Sequence, residues 1–357
     1  MQRRMIPLTL AMGFALMMIL SSVSVAQYQL TNLNSNQVGQ AHHDDPLLVN
    51  GWGIVHGPGT PWWVSDNNSG WSTLYEASGT QVTALKVLIP TAGNGPSSPT
   101  GFNGPGSPTG VVFNGSPTEF QVQGWTSRFL FATLDGTISG WAPGLNRNQA
   151  TLAVDNSSSG AVYTGLAITS RASGNRLYAV NMAKGMVEIY DATFTPVSLP
   201  NAFTDPSIPA GFTPFGIRDI SGLVYVTYAS TNGGPGGFVD KYTEDGVLVN
   251  QKPLIQGGPL NQPWGIAAAP RNFGPLSNTL LIGNNTNQGT INAFDGFTGQ
   301  FVGRVKNTSG KAIVINQLWG IDFGDGLGAN GSTGRLFFAA GPGNNLAGTF
   351  GSIVFKP

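Results

Sequence analysis

Three histidines and a few acids carry most of the chemistry open to this chain. His42 and His43 stand in AHHDDP beside Asp44 and Asp45, and His56 is isolated. Imidazole with carboxylate suits a divalent ion. Adjacent strand residues face opposite ways, so both histidines would share an ion only from an irregular loop. The alternative is a polar loop whose acids bond turn amides. A second group follows a recurring apolar run: Asp66-Asn67, Asp135, Asn181, Tyr228, Asn284-Asn285 and the Gly341 turn. If such positions converge on one mouth, their oxygens suit calcium or a sugar. With carboxylates present, a bound metal would activate water or polarise a carbonyl. On this reading Asp66, Asp135, His42, His43 and Asp44 are the candidate metal ligands, and Asn67, Asn181 and Asn284 the candidate ligand contacts. No cofactor is firmly indicated beyond a divalent metal such as Ca2+, and no catalytic residue is assigned. Asp219 and Asp322 lie just past a recurring glycine, and Glu188 and Asp240 lie within apolar runs. A glycosidase pair among them would need a separation that spacing does not supply. There is no G-x-S-x-G elbow, and the glycine-rich stretch 341–348 neither opens a helix nor carries a lysine.

The segments that would carry these groups recur along the chain. The openings are NGWGIV (50–55), SPTGVVF (107–113), VYTGLAI (162–168), TPFGIRDI (213–220), QPWGIAA (262–268) and QLWGIDF (317–323). Their shared glycines, Gly53, Gly110, Gly165, Gly216, Gly265 and Gly320, are 57, 55, 51, 49 and 55 residues apart. Each opening is followed by a second apolar segment, such as RFLFATLDG (128–136), and by a third, such as GMVEIYDA (185–192). Short alternating runs bounded by Gly, Asn and Asp predict antiparallel strands joined by tight turns. One such sheet cannot bury both faces alone, so neighbouring units must stack.

A period near fifty with four strands per unit predicts an all-β, six-bladed β-propeller. Its blades start near 50, 107, 162, 213, 262 and 317. The sixth repeat ends one strand short, and YQLTNL (28–33) precedes the first repeat. Pairing that segment with the last blade would close the ring and remove an open edge. Trp52, Phe215, Trp264 and Trp319 are expected to fill wedges between adjacent blades. Segment 90–109 reads as a loop, as does 196–214.

Composition sets the class. Gly (51) and Pro (24) are too frequent for long helices, and there is no Cys, which removes disulfides and thiolate chemistry. Lys and Arg balance Asp and Glu at 17 each, arguing against a nucleic-acid partner. Residues 1–26 read as a signal peptide: Arg3 and Arg4, an apolar run from about Met5 to Leu20, then Ser24 and Ala26 before a cleavage site. The expectation is a secreted or periplasmic, monomeric single domain over 27–357, with no transmembrane segment after cleavage.

WGI with WWVSDN and PWGI with LLIGNN resemble NHL-type propellers. A closer resemblance, carried by TNLNSNQVGQAHHDDPLLVNGWGI, FLFATLDGTISGW, FTDPSIPAGFTPFGI and LWGIDFGDG, is to a family of uncharacterised secreted bacterial proteins. Some of its members carry PEP-CTERM sorting tails, which this chain lacks. The resemblance implies a propeller and export, and no reaction. Two readings of function remain. One is a non-catalytic binding or structural propeller of the cell envelope whose partner is a glycan or surface protein, with Trp71, Trp125 and Trp141 suited to stacking on carbohydrate. The other is a metal-assisted lactonase, lyase or glycan-active hydrolase at the mouth of the channel.

Overall fold

The computed structural model describes residues 27–93 and 105–357. The expected leader at 1–26 and most of the 90–109 loop lie outside the described residues. The chain forms six antiparallel sheets around an axis, a six-bladed β-propeller. Blade 1 comprises Gly51–Val55, Trp62–Asp66, Trp71–Tyr75 and Val87–Leu88, and blade 2 comprises Pro108–Phe113, Phe129–Thr133, Thr137–Trp141 and Thr151–Asp155. Blade 3 has three strands, Tyr163–Thr169, Arg176–Asn181 and Met186–Tyr190. Blade 4 returns to four, Phe212–Ile220, Leu223–Ser230, Phe238–Thr243 and Ile255–Gln256. Blade 5 comprises Pro263–Ala268, Leu280–Asn284, Ile291–Phe294 and Phe301–Arg304.

Blade 6 takes Leu318–Phe323, Arg335–Ala340 and Thr349–Lys356 from the end of the chain, and Gln27–Ser35 from its start. The joining ladder runs antiparallel from Gln27 opposite Lys356 to Ser35 opposite Thr349, with a bulge between Asn32 and Asn34. The expected closure therefore forms, and it extends beyond 28–33. His43–Asp44 adds a short parallel strand outside it.

The core sits between blades rather than within them. Six apolar clusters each join one blade to the next, from Trp63 and Phe129 between blades 1 and 2 to Leu48 and Phe337 between blades 6 and 1. This is the stacking that a sheet with two apolar faces demands. The recurring glycines have a steric cause. A Cβ on Gly110 would lie 2.7 Å from Leu166 Cβ and closer still to Leu166 N, and one on Gly265 would lie 2.5 Å from the Trp319 carbonyl oxygen. Gly53 faces Thr109, Gly216 faces Trp264, and Gly320 faces Trp52 in the same way, so the relation runs once around the ring. Each inner strand crowds the next one's backbone, where a side chain has no room.

Candidate functional site

The six inner strands enclose a channel whose two ends differ. Four of the six residues that precede the ring glycines are aromatic and gather at one end. There Trp52, Phe215, Trp264 and Trp319 meet Leu134, Met182 and Ala229 in one cluster to which all six blades contribute. Only the axis is shared by six blades, so these rings plug the channel instead of filling wedges between neighbours, a correction to the sequence expectation. Trp52 and Trp319 stack with centroids 3.5 Å apart, and Trp264 meets Trp319 edge-on at 5.7 Å. Trp264 Nε1 donates to the Thr164 carbonyl and Trp319 Nε1 to Asn50 Oδ1, whereas buried Trp52 Nε1 has no partner among the described residues. Asn50, Gln262 and Gln317, each two residues before one of these tryptophans, adopt left-handed backbone (φ 54°, 50° and 51°). Such strain at non-glycine residues persists only where the surroundings over-determine it.

Below the plug lies a cavity of about 270 Å3 walled by Ile54, Val111, Leu166, Ile217, Ile266 and Ile321, the residues that follow the ring glycines. Its open end is charged. Two residues past the glycine the six repeats read Val55, Val112, Ala167, Arg218, Ala267 and Asp322. The two charged members pair: Arg218 Nη2 donates to Asp322 Oδ2 at 2.6 Å, reaching past blade 5, whose residue at this level is the small Ala267. A third of the Arg218 side chain remains exposed (33%), so its guanidinium keeps donor capacity toward solvent. Asp219 adjoins this pair on the cavity wall. Burial pushes its carboxyl up to about 6, against a hydrogen bond from Gly222 N–H and with repulsion from Glu244 adding. His56 also lines the cavity; its Nε2 is 3.0 Å from the Phe323 carbonyl oxygen and its Nδ1 is 3.6 Å from the Asp325 carboxylate. It lies in the loop just after Gly51–Val55, half-buried and tied to blade 6. Arg218 was missed, although opposite charges at one repeat position are visible in the aligned openings.

The metal candidates do not assemble. Asp66 is wholly buried in blade 1, its Oδ2 accepting from Thr73 N–H at 3.1 Å and its Oδ1 without a partner among the described residues. Burial pushes its carboxyl well above the usual range; a Thr73 hydrogen bond opposes this and the nearby Asp45 carboxylate adds to it. Asp135 accepts from Ser107 N–H at 2.7 Å in blade 2, sealing the turn that leads into that blade. His42, His43 and Asp44 are exposed on the far side of blade 6, while buried Asp45 accepts from Tyr75 Oη at 2.7 Å. Among the described residues no group of three or more His, Asp or Glu is placed to hold a metal ion. The reason is topological: Asp66, Asp135 and Asp44 accept from the backbone amides of Thr73, Ser107 and Gly39, in three different blades.

The asparagines are likewise occupied. Asn67 donates to the Pro108 carbonyl and accepts from Asn50, and Asn284 donates to Pro259 O and accepts from Asn261 N–H. Asn181 accepts from Val162 N–H and donates to Glu188. Each fastens a strand end to the chain leading into an inner strand. Of the tryptophans considered for stacking on carbohydrate, Trp141 is buried with Nε1 donating to Arg147 O, and Trp71 lies under the Lys86 ammonium. Trp125 is half exposed (51%) on a small hairpin.

No protein-family model matches the chain. Two curated relatives are uncharacterised proteins of Acanthamoeba polyphaga mimivirus. One is 34% identical over 211 residues, covering 55% of this chain and 38% of its own length. The other is 27% identical over 349 residues, covering 92% and 81%. The chain thus spans well under half of the first relative. These relatives are viral where the family resemblance implied bacterial ones, and they lend no support to sorting tails or export. Among solved structures, a Bacteroides thetaiotaomicron protein of unknown function aligns with a TM-score of 0.60 at 11% identity, over 93% of this chain and 77% of its own. A glucose dehydrogenase aligns at 0.55 and 11%, over 91% and 98%. A catalytically inactive virginiamycin B lyase from Staphylococcus aureus with quinupristin aligns at 0.52 and 12%, over 92% and 99%. Such identities show the propeller fold alone.

Proposed function

We propose that this protein is a non-catalytic binding propeller that takes a small polyhydroxylated ligand, a monosaccharide or the terminal sugar of a glycan, at the charged mouth of its channel. One observation carries the reading: a preformed Arg218–Asp322 pair beside Asp219, over an apolar-walled cavity of about 270 Å3 closed behind by aromatic rings. Sugars present hydroxyls that both donate and accept, and C–H faces that prefer apolar walls. Planar guanidinium and carboxylate groups over aliphatic side chains match both demands. The cavity is small for a ligand pocket, which favours a single sugar ring. The leader-like residues 1–26 support a site of action outside the cytoplasm.

A second reading, a glycan-active hydrolase, draws on Asp219, whose carboxyl at about 6 is suited to a general acid beside an ionised partner. Against it, Asp322 is held by Arg218 and by its own Phe323 N–H. The metal-assisted lactonase or lyase lacks a comparable observation, because its candidate carboxylates are spent on separate blades. Titration calorimetry against a monosaccharide panel tests the proposal. The expected result is saturable binding of at least one sugar, weakened tenfold or more by Arg218→Ala and by Asp322→Asn, with the sugar recovered unchanged. Binding that neither substitution alters would refute it, and turnover lost in Asp219→Asn would establish the hydrolase instead.

A further inference from the structure

Blade 3 is open along an edge that its counterparts cover. In blades 1, 3 and 4 the third strand ends in a tight turn, and the returning chain pairs with its last residues. Val82 N–H donates to Leu74 O at 2.9 Å, Val197 N–H to Ile189 O at 2.8 Å, and Val249 N–H to Lys241 O at 2.9 Å. In blade 1 the chain then comes back as Val87–Leu88, opposite Ser72 and Trp71, and in blade 4 as Ile255–Gln256, opposite Val239 and Phe238. The Gly70 and Gly237 carbonyls accept from Ile89 and Gly257 N–H, both at 2.9 Å, extending these pairings by one step. The equivalent residues of blade 3 are Gly185, Met186 and Val187. Among the described residues no strand lies beside them: Met186–Tyr190 is the edge of a three-stranded sheet. The chain runs on through Phe203, which packs against Tyr178 and Tyr242, into blade 4.

A cleft of about 450 Å3 lies along that edge, lined by Lys184, Met186, Glu188, Val197 and Leu199 among others. Backbone groups alternate along a strand. Because the Ile189 carbonyl faces outward to Val197, the N–H and C=O of Val187 face outward as well. Internal symmetry identifies what fits: in two sister blades the position holds an extended segment with a buried aliphatic residue, Val87 or Ile255. In blade 1 the preceding residue is Lys86, next in register opposite Thr73. The blade 3 counterpart of Thr73 is Glu188. Burial alone would raise its carboxyl, but hydrogen bonds from Tyr163, Asn181 and Tyr190 hold it below the usual range, so it presents a negative charge. Its Oε1 accepts from Asn181 and lies 3.8 Å from the Lys184 ammonium, and its Oε2 accepts from Tyr163, Tyr190 and Asn156.

We propose that blade 3 accepts an extended peptide as its fourth strand, with an aliphatic or β-branched residue opposite Val187 and a preceding lysine facing Glu188. Strand addition of this kind takes its affinity from main-chain hydrogen bonds and its specificity from alternate side chains. The site shares no residue with the channel mouth, so it stands or falls independently of the sugar proposal. The probe is a fluorescein-labelled peptide of sequence Ala-Leu-Lys-Val-Leu-Ile-Pro, which is residues 84–90 of this chain. The expected results are saturable anisotropy, slowing of Val187 amide exchange by tenfold or more on binding, and a tenfold or greater loss of affinity in Val187→Pro. Proline there removes an outward N–H and leaves the ladder to Arg176–Asn181 intact. A peptide with glutamate in place of its lysine should bind more weakly. If Val187→Pro does not fold, amide exchange in the unsubstituted protein decides. A Val187 amide as protected without peptide as that of Val239 overturns the proposal. So does peptide binding indifferent to Val187→Pro. Concentration-dependent dimerisation that Val187→Pro abolishes would assign the edge to a second copy of the chain and overturn the peptide assignment.

Discussion

Replacing a ring glycine by alanine should destabilise the propeller in proportion to how closely the next blade approaches it. The extremes are Gly110 and Gly165. A Cβ on Gly110 would sit 2.7 Å from Leu166 Cβ, and nearer to its backbone N, where ordinary contact begins at 3.4 Å. The obstruction is backbone and the ring is closed, so the strand retreats only by opening another interface. A Cβ on Gly165 would meet the Ile217 Cγ2 methyl at 3.2 Å and Ile217 N at 3.3 Å, a shortfall that small adjustments absorb. Overpacking costs about 1–3 kcal/mol, so Gly110→Ala belongs at or above about 3 kcal/mol and Gly165→Ala below about 1 kcal/mol. At about 2.1 cal/mol/K per residue the unfolding entropy of residues 27–357 is about 0.7 kcal/mol/K. Gly110→Ala should therefore lower Tm by about 4 °C or more, and Gly165→Ala by no more than about 1.5 °C. Scanning calorimetry with matched urea unfolding measures both. Equal shifts, or a larger loss in Gly165→Ala, would refute the steric account of the ring.

Burial pushes the Asp66 carboxyl well above its usual range, which favours its neutral form, so the neutral isostere Asp66→Asn should change Tm by less than about 1 °C. Elemental mass spectrometry should find no metal lost with that substitution, and a stoichiometric ion that disappears in Asp66→Asn would count against this reading. Stability should fall as pH rises from 5 to 8. Burial pushes Asp219 up to about 6; it pushes Asp240 up to about 7, opposed by a Tyr242 hydrogen bond and reinforced by the Asp205 carboxylate. Both folded values exceed the unfolded one near 4, so their contribution is full below about pH 4 and is lost as pH rises through 6 and then 7. Asp240→Asn should flatten the decline of Tm on the alkaline side, and an unchanged slope would exclude Asp240 as its cause.

The repeats and the ring closure could be read directly, because both are consequences of local chain chemistry. Gly53, Gly110, Gly165, Gly216, Gly265 and Gly320 recur because six strands must pack in one way, and a requirement repeated six times leaves a period in the sequence. The missing outer strand of the last repeat was countable, and Gln27–Ser35 supplies it. The site was far less accessible. Asp66, Asn67, Asn181 and Asn284 occupy equivalent repeat positions, which suggested convergence on a mouth. Whether a side chain reaches the axis or turns back onto an amide depends on the twist and tilt of its blade, which pattern does not encode. Trp52, Trp264 and Trp319 were recognisable as packing residues, but only the closed ring brings them face to face on the axis. Arg218 and Asp322 lie 104 residues apart in the chain and meet because blades 4 and 6 flank a blade whose residue at that level is alanine. The number of blades, their order and the way the ring shuts follow from periodicity and strand propensity, which are written along the chain. Tertiary structure decided which polar groups are spent on turns, which pair across the channel and which edge stays open, because each depends on distances set by six blades packing at once.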